Sequence, residues 1–277
     1  MPLLGPDRPL LSPAVWAALP ELLEDLLRRE RILLCVLEDS DTGCLRFLGG
    51  SGFLDRQFLE AALGDPRESV LNRALAAERK SGLAFLNVRQ VGDANRRTDL
   101  RLLNFFGVPF KLDPNLEIGI ATEAWNFFHK GFQFAEIWAE TADPVQAGLL
   151  KQIGMRLHRE HTSRTGDPVS LFHVSREDAL RTPAAWPASA MLSSRPRFGF
   201  TRRQQKLLEL ALLDHSDREM AERLELSEDA LKKRWRSIYL KVSELEPRLL
   251  QPDDSGAVQR RALLHRLRHN LEELRPF

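Results

Sequence analysis

The sequence predicts an α+β protein, in which an antiparallel sheet flanked by helices is followed by a C-terminal bundle of four helices. Two observations lead to this class. Up to about residue 175, short apolar runs bounded by turn residues are interspersed with helical patterns. From Thr201 onward, only helical patterns are present. A Pro-, Ser- and Ala-rich stretch between them predicts an N-terminal domain at 1–180, a linker at 181–198 and a C-terminal domain at 199–277.

The N-terminal domain is predicted element by element from these patterns. The segments "RILLCVLE" and "CLRFLGGSGF" enclose the turn "DSDTG" and predict a β-hairpin. Helices are predicted at "QFLEAAL", at "RESVLNRALAAERKSG" with Gly82 as C-cap, and at "DPVQAGLLKQIGMRLHREH". Further strands are predicted at "LAFLNV", at "NFFGVPFKL" paired with "LEIGIATEA", and at "TGDPVSLFHVS". The stretch "WNFFHKGFQFAEIW" fits neither pattern clearly.

Composition narrows the class of protein. The chain has 277 residues with a net charge of +1, and no apolar run approaches the roughly 18–20 residues that cross a bilayer. The prolines near the start and the lack of a basic leading segment argue against a signal peptide. Two cysteines, Cys35 and Cys44, are too few for a disulfide framework. We therefore expect a cytoplasmic protein with reduced thiols and no membrane partner.

Three capped helices are predicted within fifty residues of the C-terminal domain. Thr201 with Gln204, and Ser216 with Glu219, have the spacing of capping boxes. Ser227 is placed to cap a third helix that carries acids in its first turn. The short corner between the second and third helices is typical of a helix-turn-helix.

Basic residues follow the acidic first turn of the third helix. At 100° per residue, Lys232 and Arg236 share one face, and Lys233 lies beside them. A helix with this face fits the major groove of DNA, with the remaining cations on phosphates. Trp235 and Tyr239 are expected to pack inside the domain. The predicted DNA-contacting set is Lys232, Lys233, Arg236, Lys241, Arg203 and Ser227.

The same residues resemble the DNA-binding domain of LuxR-type transcription regulators over about residues 199–245. The positions in step with the family pattern are Thr201, Arg203, Ser216, Glu219, Met220, Ala221, Leu224, Ser227, Leu231, Lys232, Ile238, Lys241 and Val242. Asp214 stands where the family has glycine, and Ala230 where it has a threonine whose hydroxyl could touch phosphate. The resemblance implies major-groove binding, a fourth helix and a homodimer.

The last predicted helix, "AVQRRALLHRLRHNLEEL", is amphipathic. The resemblance implies that it helps two domains to dimerise, and packing within its own subunit is the alternative. His265 and His269 have the i, i+4 spacing of a metal pair without an acidic or thiol companion, so we expect no metal site.

The N-terminal domain resembles a GAF-type sensor domain in the order and spacing of its elements over about residues 22–162. In such domains a ligand lies between the sheet and the covering helices. The predicted lining residues are Phe85, Phe106, Trp125, Phe128 and Trp138, with core aromatics that bind nothing as the alternative.

Two other classes of N-terminal domain match the residues of this chain less well. An acyl-homoserine-lactone pocket would carry a Trp-x-x-x-Tyr pair, whereas the single tyrosine, Tyr239, lies in the C-terminal domain. An acetyltransferase-like domain, prompted by "AGLLKQIGMR", would need glycines and free amides opening a helix, and "LDPNLEIGIATEAW" carries one glycine and Glu117 there. No catalytic set is recognisable from spacing, so we expect neither enzymatic activity nor a cofactor.

Taken together, the patterns predict a transcription regulator that binds double-stranded DNA as a homodimer and senses a small-molecule effector or a partner through its N-terminal domain. The alternative is a protein without DNA binding whose C-terminal bundle serves assembly.

Overall fold

The computed structural model describes residues 10–65, 68–109, 123–162, 166, 168–182, 186–251 and 255–277, with backbone alone at 106–109 and 186. The chain divides into two compact units, Met1–Ser193 and Ser194–Phe277. The division falls inside the segment predicted as linker. Part of that segment is helical and belongs to the first unit, where Ala188, Ala190 and Met191 are buried in the core.

The first unit is built on a six-stranded sheet with the strand order β1-β2-β3-β4-β6-β5. The α+β class is confirmed, but the prediction of an antiparallel sheet is wrong at the centre, where β3 and β4 run parallel. All other neighbours are antiparallel. The strands are β1 (Ile32–Glu38), β2 (Leu45–Phe53), β3 (Leu100–Pro109), β4 (Phe134–Thr141), β5 (Arg156–Thr162) and β6 (Pro168–Ser175).

Helices cover both faces of this sheet. Those before β3 are α1 (Pro13–Ala17), α2 (Leu19–Arg28), α3 (Arg56–Leu63), α4 (Val70–Ser81) and α5 (Val88–Arg96). Those after β3 are α6 (residues 123–129), α7 (Pro144–Gln152), α8 (Arg176–Arg181) and α9 (Trp186–Met191). Alternation along β3 separates two cores. Leu103 and Phe105 pack with residues of α1–α4, whereas Leu100 and Leu102 pack with residues of α5–α9.

The predicted hairpin of β1 and β2 is confirmed, and Asp39 organises its turn. The Asp39 carboxylate accepts bonds from the Thr42 amide at 2.9 Å and from the Arg46 guanidinium at 2.8 Å. These bonds favour the charged form and lower the pKa of Asp39 to about 2, with the Arg46 bond as the largest cause. Gly43 takes a left-handed φ of 66°, which closes the turn.

The helix α4 and its predicted C-cap, Gly82, are confirmed, and the helix begins at Val70. Ser69 caps its first turn, and Gly82 ends it in the left-handed conformation with φ of 66°. Glu140 of β4 fixes the same N-terminus, because its carboxylate accepts bonds from the Ser69 hydroxyl at 2.6 Å and the Leu71 amide at 3.1 Å. Burial nonetheless raises the pKa of Glu140 above its ordinary range.

Two element assignments are wrong. The segment "LAFLNV" forms no strand beyond a single bridge between Phe85 and Leu54. Asn87 instead begins α5 through a capping box with Gln90. The helix predicted from residue 143 ends at Gln152, and the chain then turns at Gly154 and enters β5. Of the return strand predicted at residues 116–124, residues 116–122 lie outside the described residues and residues 123 and 124 begin α6 instead.

The second unit is helical throughout its described part. The predicted helices are present as α10 (Arg202–Leu212), α11 (Asp217–Arg223), α12 (Glu228–Leu245) and α13 (Gly256–Arg268), followed by a 3-10 turn at Leu271–Leu274. The turn ties the two ends of the unit together. The Glu273 carboxylate accepts bonds from the amides of Arg197 at 2.7 Å and Phe198 at 2.8 Å.

Candidate nucleic-acid interface

The predicted DNA-contacting residues lie mainly on the helix pair α11 and α12. The capping boxes at Thr201 and Ser216 are both formed, as predicted. Ser227 begins α12 by accepting a bond from the Ala230 amide at 3.2 Å. Local sequence therefore determines where α10, α11 and α12 start, independently of any partner.

A tight corner joins α11 to α12. Glu225 adopts a left-handed φ of 54°, and the Leu226 amide then returns to the Ala221 carbonyl at 2.8 Å. Asp214 takes the same conformation, with φ of 59°, in the preceding connection. Aspartate tolerates this region better than most residues, which explains how it can stand where glycine is expected.

The inward faces of these helices form one core. Met220 and Ala221 of α11 are buried with Leu231, Trp235 and Ile238 of α12. Trp235 and Tyr239 stack inside the unit with ring centroids 5.6 Å apart, as the sequence predicts. A helix packed on one side in this way holds its opposite side at a fixed orientation.

The opposite side of α12 carries the predicted basic residues. Lys232, Lys233 and Arg236 are all exposed, and they follow the exposed acids Glu228 and Asp229. The face is therefore acidic in its first turn and basic in the next two. Eighteen residues give α12 a length of about 27 Å, enough to span a major groove about 12 Å wide.

The remaining predicted contacts lie on α10, at the N-cap of α12 and in the second half of α12. The side-chain amide of Gln204 bonds Ser237 at 3.0 Å, which sets the first turn of α10, with exposed Arg203, alongside the turn that carries Arg236. Lys241 lies about 140° around the helix from Arg236 at 100° per residue, and its ammonium donates to the Gly199 carbonyl at 2.6 Å. Ser227 is exposed, with its hydroxyl engaged as the cap. The six predicted residues thus lie on neighbouring elements of one unit.

The contacts of α13 with the rest of the second unit were not predicted from the sequence. Arg260 of α13 bonds the Asp217 carboxylate at 2.6 and 3.2 Å, and its guanidinium lies 4.4 Å from the centre of the Trp235 ring. Arg268 likewise bonds Asp214 at 3.0 Å. The two ion pairs join residues more than forty positions apart, so no local pattern could have signalled them.

The predicted ligand-lining residues do not lie around one space. Phe85 and Trp138 belong to the core of α1–α4, whereas Trp125 belongs to the core on the other face of the sheet. Phe128 lies beside His129 on α6, and the side chain of Phe106 lies outside the described residues. Phe85, Trp125 and Trp138 are thus core aromatics, the alternative left open by the sequence, whereas Phe128 is half-buried and outside both cores.

A buried polar network holds α6 against the sheet. The Ser51 hydroxyl lies 2.9 Å from His129 Nε2, and His129 Nδ1 lies 2.9 Å from the Trp125 carbonyl. The Trp125 indole in turn donates to Asn104 at 3.1 Å. Both Ser51 and His129 are buried, so this pair positions α6 rather than presenting a nucleophile to solvent.

Histidines on the first unit's sheet are held toward the neutral form. Burial lowers the pKa of His173, which stacks on Trp138 with ring centroids 4.2 Å apart. Within the described ranges, no three or more His, Cys, Asp or Glu side chains come together in a way that could hold a metal ion. The His265 and His269 rings lie 5.0 Å apart without a third ligand of this kind.

Comparison with protein-family models, with curated proteins and with solved structures found no match to the chain. None of the helices in the described part of the chain is both long and apolar enough to span a bilayer.

Proposed function

We propose that this chain is a sequence-specific DNA-binding transcription regulator, in which α11 and α12 form a helix-turn-helix and α12 enters the major groove. The observation that carries the proposal is the exposed basic stripe of Lys232, Lys233 and Arg236 on a helix whose other side is buried. Lys232 and Arg236 would bond guanine edges, and Lys233 and Arg203 would bind phosphates.

The acidic first turn of α12 limits how the helix can approach DNA. Glu228 and Asp229 are exposed there and would be repelled by phosphates. Inside the groove, however, a carboxylate can accept a bond from the amino group of cytosine. We infer that these two residues face base edges rather than the backbone, and that they disfavour non-specific binding.

The LuxR-type identity of the second unit remains part of this proposal. It is supported by the two capping boxes and by Asp214, whose left-handed φ is the conformation that favours the family's glycine. Lys241, engaged with Gly199, would brace the loop before α10 and contact phosphate only by releasing that carbonyl.

The homodimer also remains a proposal, and of the large apolar side chains of α13 Val258 is exposed while two leucines are not available for it. Leu263 and Leu267 of α13 are fully buried within the unit, and Arg260 is held by Asp217. This supports the intrasubunit alternative for α13. Two-fold symmetric DNA would still favour two copies, because one recognition helix reads only a few base pairs.

For the first unit we propose a sensing role without enzymatic activity or a cofactor, in a cytoplasmic protein. The GAF-type resemblance is supported by the β1–β2 hairpin and by α4 with its Gly82 cap, although the parallel β3–β4 pair was not expected from it. The competing assembly function is favoured by the exposed apolar side chains Leu213 and Leu240 of the second unit.

Selection of bound sequences from random DNA, followed by gel shifts, tests the proposal. The wild type should select a defined site, and Lys232→Ala with Arg236→Ala should remove the preference, because each base contact contributes about 1–3 kcal/mol. Arg89→Ala with Lys151→Ala, an exposed pair in the first unit, makes the same charge change and should leave binding intact.

The proposal fails if the wild type selects no sequence at low salt, or if the control pair is as damaging as the α12 pair. Self-association that persists unchanged without DNA, combined with no selection, would favour the assembly function instead.

A further inference from the structure

A cleft of about 450 Å³ lies in the first unit between α2 and the C-terminal end of α4. Glu21 and Asp25 border it from α2, and Glu78, Lys80 and Gly82 border it from α4 and its cap. The cleft does not include the aromatic residues predicted to line a ligand space, and it touches the core of α1–α4 through Leu22. It belongs wholly to the first unit.

Glu78 is the unusual residue of this cleft. Its side chain is 1% exposed, and one carboxylate oxygen, Oε1, accepts bonds from the amides of Ala84 at 2.8 Å and Phe85 at 2.7 Å. The Arg31 guanidinium lies 3.8 Å from the same oxygen. Glu78 is therefore fixed in place through one oxygen, on the side that faces the core.

The second oxygen, Oε2, is buried and accepts no bond from any described residue. It lies close to the end of α4 that borders the cleft, because Glu78 and Gly82 both line the cleft and a Cβ added at Gly82 would be 3.8 Å from this oxygen. Buried carboxylate oxygens normally have a donor, so an unpartnered one beside an opening marks a position for a donor from outside the chain.

The formal charges that line the cleft balance, with Glu21, Asp25 and Glu78 against Arg29, Arg79 and Lys80. Arg79 donates to the Ala14 carbonyl at 3.2 Å and Lys80 is exposed, so the end of α4 beside Oε2 indicates what donor this oxygen would take. The C-terminal end of α4 brings carbonyl groups without helical partners and the negative end of the helix dipole. Glu21 adds an exposed carboxylate, whereas Asp25 is already paired with Arg29 at 2.9 Å. A single donor on a compact cation satisfies this geometry, while a metal ion would need several oxygen ligands together.

We propose that this cleft binds the primary ammonium group of a small molecule, with Glu78 Oε2 as its buried acceptor and Glu21 as a second, exposed acceptor. The bound cation would fix Glu78 and, through it, the Ala84–Phe85 backbone beside Leu54 of the sheet. The proposal that the cleft binds an ammonium group depends only on these contacts. Its use as an effector signal rests on the proposed DNA-binding function.

The test is an NMR titration of the full chain, without DNA, with butylammonium as the probe and butyrate as its anionic counterpart. Butylammonium should shift the amide resonances of residues 78–82 saturably, and butyrate should not. Glu78→Gln keeps an oxygen for the two amides but turns a donor toward the cleft, so it should weaken binding at least about tenfold. Glu24→Gln, on α2 but away from the cleft, should leave affinity unchanged.

Absence of saturable shifts, equal binding of butyrate, or unchanged affinity in Glu78→Gln would overturn the site. If Glu78→Gln does not fold, the butylammonium affinity of Glu21→Gln is the test of the site, since this variant leaves every bond of Glu78 in place. It should weaken binding about two- to threefold, and no change would overturn the site. Because DNA is absent, failure here is distinct from failure of the proposed regulator.

Discussion

Gly52 of β2 provides a sharp test of whether the first unit holds an open space next to Phe85. A Cβ added at Gly52 would lie 2.8 and 2.9 Å from two ring carbons of Phe85 and 3.0 Å from the ring of Phe105. Both rings are buried and their centroids are 5.2 Å apart, so neither can move aside freely. Overpacking of this kind destabilises proteins by about 1–3 kcal/mol, and we expect that loss for Gly52→Ala.

Gly148→Ala is the matched control. Gly148 lies within α7, and no atom lies within 4 Å of its added Cβ. This change should stabilise the first unit by about 1 kcal/mol through helix propensity. Both variants restrict the unfolded chain in the same way, so their difference of about 2–4 kcal/mol isolates packing against Phe85 and Phe105.

Hydrogen exchange of the β2 and β3 amides measures this difference without interference from the second unit. The slowest amides should exchange about 30- to 1000-fold faster in Gly52→Ala than in Gly148→Ala. Equal protection in the two variants would refute the packing described here and would restore Phe85 as a residue beside an open ligand space.

Three further predictions concern other parts of the chain. Glu225→Gly should stabilise the second unit by about 0.5–1 kcal/mol in thermal unfolding, because glycine adopts the left-handed corner without strain, and a loss of stability would contradict that conformation. Lys233→Ala should reduce the slope of log affinity against log salt by about 0.9 per subunit with base preference unchanged, and an altered preference would assign Lys233 to bases. Burial raises the pKa of the Glu140 carboxyl, so the folded first unit binds the Glu140 proton more tightly than the unfolded chain does. The contribution of Glu140 to the free energy of unfolding should therefore fall as pH rises from about 4.5 through the raised pKa. Urea unfolding across pH should show this fall in the wild type and not in Glu140→Gln; parallel curves would exclude Glu140 as its source.

Local signals in the sequence predicted local structure well. The caps at Thr201, Ser216 and Ser227 each need only a side chain and an amide three residues away, and all three are formed. The α5 helix was missed because "LAFLNV" is a short apolar run, for which strand and helix patterns are ambiguous. Its capping pair, Asn87 and Gln90, was the available signal.

Non-local features could not be predicted in the same way. The parallel pairing of β3 with β4 depends on a crossover that places α6 between them in the chain, and strand patterns alone do not distinguish it from a hairpin. The predicted ligand residues were chosen as aromatics in one sequence region, but Phe85 and Trp125 pack into different cores. The exposed side of α12 followed directly from helical periodicity.

The bonds from Glu273 to the amides of Arg197 and Phe198 bring the beginning and end of the second unit together. Gln205 adds a bond from its side-chain amide to the Arg275 carbonyl at 2.8 Å. A unit whose termini meet can be inserted into a loop of a host protein or circularly permuted with little distortion of either partner. The second unit is therefore suited to insertion into another protein as an independent domain.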